Sequence, residues 1–289
     1  MNMAIKIGIE SPAYVGVNPD MENFARGVRR MRSHGYECMD YGDFCYTERP
    51  LFQVSEGEFE RILTEQKKIL DGEGILVSQT HGPWRCPMQD ETEEDRAERF
   101  EKMAKSIRGT AMLGCRHMVI HNIMPQGAKD TDPDYVKSIN REFFGRLCEV
   151  AKEYDVVIDL ENMPFLKQCL AKPEDTLAFI KSMNTPYMRM CLDTGHCLVW
   201  GIQPGDAVRL IGKEYLSTLH VHDNDGKRDL HWLPGTGVGE WEDFRAALQE
   251  IGFEGTLSLE TFVKNVPEEE QEIRERELFQ YAYRLAGRA

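Results

Sequence analysis

The sequence lacks the features that define several classes of protein. It has no run of about 18 consecutive apolar residues, so no membrane-spanning helix is expected. The N-terminus has no apolar stretch behind a basic segment, so we expect no signal peptide. The eight cysteines include no C-x-x-C pair. This pattern predicts reduced thiols in a cytoplasmic protein rather than a disulfide scaffold or a structural zinc module.

Basic residues are outnumbered by acidic ones, and glycine motifs that bind nucleotides are lacking. The chain carries 35 basic and 49 acidic residues, for a formal net charge of −14. Proteins that bind nucleic acids usually present a basic face to the phosphates, so this balance argues against such a partner. Neither G-x-G-x-x-G nor G-x-x-x-x-G-K-[ST] follows the first apolar segment. A doubly wound nucleotide-binding sheet is therefore disfavoured.

What the sequence has is a regular alternation of short apolar segments with longer segments of helical period. Such alternation implies parallel strands joined by crossover helices, and eight repeats favour closure into a (β/α)8 barrel, the TIM barrel. No linker interrupts the pattern, so we expect one α/β domain over residues 1–289. The eight predicted strands are Ile5–Ile9, Tyr36–Asp40, Ile75–Thr80, His117–His121, Val156–Leu160, Met188–Leu192, Ser217–Val221 and Thr256–Glu260.

Residues that can ligate a metal follow six successive predicted strands, from the third to the eighth. Catalytic residues of such barrels lie at the carboxyl ends of the strands, so these side chains should share one rim. Carboxylates gathered there repel one another unless a cation compensates, and imidazole with carboxylate suits zinc, manganese, iron or cobalt. The sequence therefore predicts a metal site formed from His81, His121, Glu161, Asp193, His196, His220, His222 and Glu260.

The loop after the seventh strand adds a D-x-H pair, Asp229 and His231. A glycine-rich run, residues 234–239, follows it. We interpret that run as a tight turn rather than a phosphate-binding loop, because no strand precedes it.

Taken in order, these motifs resemble the xylose isomerase-like superfamily, which includes the sugar isomerases and epimerases and endonuclease IV. The resemblance covers nearly the whole chain. Each motif alone is weak, and their order carries the resemblance. The motifs are Glu161-Asn162, Leu192-Asp193-Thr194-Gly195-His196, His220-Val221-His222-Asp223, Asp229-Leu230-His231 with Gly235-Thr236-Gly237, and Leu259-Glu260-Thr261.

The resemblance implies two different metal sites, one for each branch of the superfamily. The ketose 3-epimerase branch holds a single ion, first of all manganese, with zinc, cobalt or iron as alternatives. Its ligands match Glu161, Asp193, His220 and Glu260, and His222 is an alternative to His220. The endonuclease IV branch holds three zinc ions. The additional ligands of that site match His81, His121, His196, Asp229 and His231.

The first activity that the resemblance implies is isomerisation or epimerisation of a ketose or related small sugar. The metal would stabilise a cis-enediolate while Glu161 and Glu260 transfer the proton as paired acid and base. The expected substrate contacts are His81, Trp84, His121, His196, His222 and Arg228. The alternative is a multi-metal hydrolase or lyase, acting on a phosphodiester or by elimination on a keto-sugar derivative. A non-catalytic metal-binding barrel is a third reading, and a homo-oligomer is left open.

Overall fold

The structure, a computed structural model, describes residues 5–16, 19–84, 90–124, 132–261, 263 and 266–288. Strands and helices alternate along this part of the chain. The strands are β1 (Lys6–Glu10), β2 (Cys38–Tyr41), β3 (Leu76–His81), β4 (His117–Ile120), β5 (Val157–Glu161), β6 (Met188–Asp193), β7 (Leu216–His220) and β8 (Thr256–Leu259). The helices are α1 (Pro12–Val15), α2 (Met21–His34), α3 (Glu56–Glu73), α4 (Glu93–Met112), α5 (Pro133–Glu153), α6 (Pro173–Met183), α7 (Thr194–Val199), α8 (Pro204–Tyr215), α9 (Trp241–Ile251) and α10 (Glu268–Leu285).

The strands form one parallel sheet that curls into a barrel. From β1 to β7 each strand pairs with the next along the chain, and β8 returns to pair with β1. The remaining seam, between β7 and β8, is joined by a bridge between Val221 and Leu259. There Val221 N donates to Ser258 O at 2.9 Å and Glu260 N donates to Val221 O at 3.2 Å. The predicted TIM barrel is thereby confirmed.

All eight predicted strands are present, and no strand end is shifted by more than two residues. Two short helices, α1 and α7, were not predicted, because four to six residues are too few to show a helical period. The start of α4, at Glu93, is set by local capping. Thr92 caps this helix, and Asp95 completes a capping box, so the acidic run of residues 93–95 forms the first turn.

The barrel interior is polar as well as apolar. Gln79 on β3 donates through Nε2 to Leu219 O on β7 at 3.2 Å. Thr218 Oγ1 on β7 donates to Asp159 Oδ2 on β5 at 3.2 Å. Because these strands are not neighbours in the sheet, the bonds cross the interior. Outside the sheet, Tyr41 on β2 packs against Phe44 in the following turn, and Phe44 packs against Phe59 on α3, with ring centroids 4.9 and 6.2 Å apart.

The helices include none that could cross a membrane: no described helix combines sufficient length with sufficient apolar character.

Two helical glycines differ in the space around them, and this gives a test of the packing. A Cβ at Gly109 on α4 would lie 2.5 Å from Phe44 and 3.0 Å from Phe59, whereas a Cβ at Gly145 on α5 would meet nothing within 4 Å. We expect Gly109→Ala to lower the free energy of unfolding by about 1–3 kcal/mol through overpacking. Gly145→Ala should raise it by about 0.5–1 kcal/mol through helix propensity. Urea unfolding measures both, and equal shifts for the two variants would contradict this packing.

Candidate metal centre

The carboxyl ends of the strands surround a cavity of about 430 Å³. Parallel strands place their last residues at one end of the barrel, so residues that are distant in sequence meet there. Of the residues predicted for the site, the cavity is lined by His81, Trp84, His121, Glu161, His196, His220, Asp229, His231 and Glu260. Asp193 and His222 are fully buried beside these residues.

The central cluster comprises Glu161, Asp193, His220 and Glu260, which come from β5, β6, β7 and the end of β8. Their ligand atoms all lie within 4.8 Å of one another. His220 Nδ1 lies 2.9 Å from Glu161 Oε1 and 3.0 Å from Glu260 Oε2. Three carboxylates and one imidazole therefore converge at the cavity, and all but Glu260, whose side chain is 20% exposed, are at most 1% exposed.

Glu161 also belongs to a second group, which it forms with His81 and His121. Its Oε2 lies 3.0 Å from His121 Nε2 and 3.6 Å from His81 Nε2. Glu161 thus offers one carboxylate oxygen to each of two clusters. Burial raises the pKa of Glu161, but His220 and His121 outweigh it and hold this pKa well below its ordinary value.

Asp193 joins the central cluster to a third group, Asp193, His196 and His222, and His222 in turn belongs to a fourth group with Asp229 and His231. His222 Nε2 lies 3.0 Å from Asp193 Oδ2, and its ring stacks on that of His231 at a centroid distance of 4.1 Å. Asp229 Oδ2 lies 3.3 Å from both His196 Nε2 and His231 Nε2. Hence His220 is in the central cluster, while His222 turns toward the neighbouring one.

Local structure explains how two of these side chains are held. Asp193 caps α7, the helix that begins directly after β6, by accepting a hydrogen bond from His196 N at 2.6 Å. This tight strand-to-helix junction brings His196 back over the rim. Gly195 is required within it, because a Cβ there would lie 2.0 Å from the ring of His222.

The loop that carries Asp229 and His231 is fixed by one buried carboxylate, Asp223. Its Oδ2 accepts hydrogen bonds from Gly235 N at 3.0 Å, Gly237 N at 2.8 Å and the Trp241 indole at 2.9 Å. A Cβ at Gly237 would lie 2.1 Å from the carbonyl oxygen of Asn224. The glycine-rich run is therefore a turn, as the sequence predicted, and its amides gather around Asp223.

The remaining predicted contacts lie in different environments. Trp84 lines the cavity and packs against Tyr46 and His121, with ring centroids 5.5 and 5.8 Å away. Arg228 is exposed and forms an ion pair with Asp225 at 2.9 Å, and it does not line the cavity. The structure brings Trp84 to the cluster residues and leaves Arg228 outside the cavity.

Two acidic residues at the rim were missed by the sequence analysis. Glu10 ends β1 and Asp40 lies in β2, and both line the cavity. Burial and the nearby Glu260 raise the pKa of Glu10 to about 8. The strand-end rule applied to the later strands would also have found these two residues.

These features define a class of protein: a TIM barrel with metal-ligand clusters at the carboxyl ends of its strands. A family model for the xylose isomerase-like TIM barrel matches residues 28–281. The chain belongs to this family, as the resemblance implied.

Three individual proteins illustrate the similarity. An uncharacterized protein of Methanocaldococcus jannaschii is 28% identical over 192 residues, which is 63% of this chain and 64% of that protein, just under two thirds. A D-psicose 3-epimerase of Enterocloster bolteae is 27% identical over 248 residues, 83% of this chain and 77% of that enzyme. The zinc-bound IOLI protein has the same fold, with a TM-score of 0.72, 16% identity and coverage of 97% and 96%.

The role of Asp223 can be tested by its loss of charge. In Asp223→Asn an amide replaces the carboxylate, and its NH2 group cannot accept hydrogen bonds from the backbone N–H donors. Hydrogen bonds to a charged group contribute about 1.5–3 kcal/mol each. We expect faster amide hydrogen exchange at Gly235 and Gly237 and a lower free energy of unfolding. The matched control is Asp225→Asn in the same loop, since within the described part of the chain Asp225 bonds only to Lys227 and Arg228. Unchanged exchange in Asp223→Asn would show that the loop is held by other contacts.

Proposed function

We propose that this chain is a divalent-metal-dependent isomerase or epimerase of a ketose or related small sugar. The observation that carries the proposal is the central cluster, in which carboxylate oxygens of Glu161 and Glu260 lie 2.9 and 3.0 Å from His220 Nδ1. The similarity to a D-psicose 3-epimerase along 83% of the chain supports a sugar substrate.

The central cluster fits a divalent metal ion. It gathers three carboxylates and an imidazole with their ligand atoms within 4.8 Å. Buried carboxylates so close together repel one another without a cation, and this mixture of oxygen and nitrogen donors suits manganese, with zinc, cobalt and iron as alternatives. Glu161, Asp193, His220 and Glu260 would hold the ion. When bound, it supplies a Lewis acid that polarises a substrate carbonyl.

The two glutamates are suited to acid–base work on a carbon next to a carbonyl group. Glu161 comes from β5 and Glu260 follows β8, so they approach the cavity from different sides of the barrel. In the proposed reaction one carboxylate takes the proton from the carbon, and an enediolate forms. The other carboxylate returns a proton, either to the opposite face or to the neighbouring carbon.

Neighbouring side chains can orient a sugar in the cavity. His196 Nδ1 lies 2.7 Å from Asn162 O, which fixes the ring while Nε2 faces Asp229. Trp84 gives an apolar wall next to His121. We propose that His81, His121, His196, His222 and Trp84 are close enough to the clusters to contact substrate or a further ion, and that Arg228 reaches it only if its loop moves.

A second candidate function is a multi-metal hydrolase or lyase. It is favoured by the way Glu161 and Asp193 each link two clusters, which would place further ions beside the first. Such a site activates water for attack on a phosphodiester, or promotes elimination from a keto-sugar derivative. The net charge of −14 disfavours a nucleic acid as its substrate.

The single-domain extent over residues 1–289, the cytoplasmic location and the oligomeric state stay predictions.

Glu161→Gln tests the proposed chemistry. The amide cannot accept the proton and is a poorer metal ligand, so turnover should fall by at least the roughly 10²–10⁴-fold that a general base contributes. Incorporation of solvent deuterium into a panel of ketoses measures the proton transfer directly. Glu153→Gln, at the exposed end of α5, is the matched control and should exchange as the wild type does. Absence of exchange with every ketose, together with cleavage of a phosphodiester, would reject the isomerase.

Metal stoichiometry separates the two candidate functions. For the isomerase we expect one tightly bound ion per chain, and His231→Asn should leave that number unchanged because His231 is outside the central cluster. Elemental analysis of the purified, metal-loaded chain gives the number. A value near three that falls in His231→Asn would favour the multi-metal enzyme instead.

A further inference from the structure

Both ring nitrogens of His220 contact carboxylate groups. Nδ1 faces the central cluster, at 2.9 Å from Glu161 and 3.0 Å from Glu260. Nε2 points the other way, across the barrel, and lies 3.1 Å from Asp40 Oδ2 on β2. His220 is 1% exposed and Asp40 is 3% exposed, so water does not compete for this contact.

The hydrogen-bond partners of Asp40 fix the direction of this contact. Gln79 Nε2 lies 2.9 Å from the same Asp40 oxygen and 3.2 Å from Leu219 O. Leu219 O can only accept, so the amide nitrogen of Gln79 faces both oxygens and donates to both. Asp40 is therefore held as an acceptor. An unprotonated Nε2 on His220 would set two acceptors against each other, so Nε2 carries a hydrogen. The same holds for Nδ1 while it faces Glu161 and Glu260, and Nδ1 is the nitrogen that gives up its hydrogen when an ion replaces those contacts.

From this geometry we infer that Asp40 is a positioning residue for metal binding, which sets the tautomer and ring orientation of His220 so that the Nδ1 lone pair faces the ion. Asp40 is not itself in any of the metal-ligand groups found among the described residues. Carboxylates that hold a ligating histidine in this way orient the ring and raise its basicity. The inference rests on the metal site of the proposed function.

Asp159 provides an internal comparison. It is also a fully buried carboxylate in the barrel, and it also contacts an imidazole, with Oδ2 at 2.9 Å from His117 Nδ1. His117, however, starts β4 at the opposite end of the strand from the rim, and it is in none of the ligand clusters. The two aspartates share burial, residue type and kind of partner, and differ in whether that partner is a metal ligand.

The test compares Asp40→Asn with Asp159→Asn in the full chain. The apparent dissociation constant for Mn²⁺ is measured by competition with a chelator, without any sugar. We expect Asp40→Asn to weaken binding by about 10–100-fold, the usual effect of losing such a partner. Asp159→Asn should bind Mn²⁺ as the wild type does. The visible absorption of the Co²⁺-loaded chain should change in Asp40→Asn alone, and Asp40→Glu should restore part of the affinity.

If Asp40→Asn does not fold, as judged by circular dichroism, Gln79→Met replaces it. This variant removes the donor that orients Asp40, and it should weaken Mn²⁺ binding in the same direction by a smaller factor. Wild-type affinity and an unchanged Co²⁺ spectrum in Asp40→Asn would overturn the inference, as would an equal loss in Asp159→Asn. A wild-type chain that binds no divalent metal would instead reject the proposed function, and the positioning role with it.

Discussion

The mutual repulsion of buried carboxylates is the constraint on which the rim of this barrel depends. Glu161, Asp193 and Glu260 converge within a few ångströms, and two of them are at most 1% exposed. Such an arrangement is stable only if positive charge lies among them, from protonated imidazole, from a metal ion or from both. The crowding of histidines at the rim is a response to this requirement. Glu161 and Asp193 each belong to two clusters, so a gain or loss of charge at one cluster alters the charge balance of its neighbour.

The rest of the fold serves to hold these groups in place. The parallel sheet brings the ends of all eight strands together at the cavity. Local hydrogen bonds then set the individual side chains. Asp193 is at once a cluster residue and the cap of α7. Asp223 gathers glycine amides and so fixes the loop of Asp229 and His231. The barrel therefore uses carboxylates in two ways, as ligands facing the cavity and as acceptors that fix backbone.

The sequence predicted the fold and the residues of the rim well, because both depend on local patterns. The apolar segment before Glu161 and the ordered motifs around Asp193 and His220 are readable one strand at a time. The link between His220 and Asp40 is not, since those residues are 180 positions apart and meet only when the barrel closes. The position of His222 was also not readable from the sequence. Residues two apart on a strand point to the same side, which made His222 an alternative ligand to His220. However, β7 ends at His220, and the His222 ring turns to Asp193.

The bond between Asp40 and His220 also has a consequence for assembly of the chain. It joins the second strand to the seventh, so the central cluster is complete only after early and late parts of the polypeptide have come together. A ligand that requires His220 in this orientation binds the closed barrel and not a partly folded one. Its binding free energy then adds to the stability of the whole barrel rather than of one segment. The fraction of chains that bind such a ligand at the rim therefore reports the fraction in which the barrel has closed.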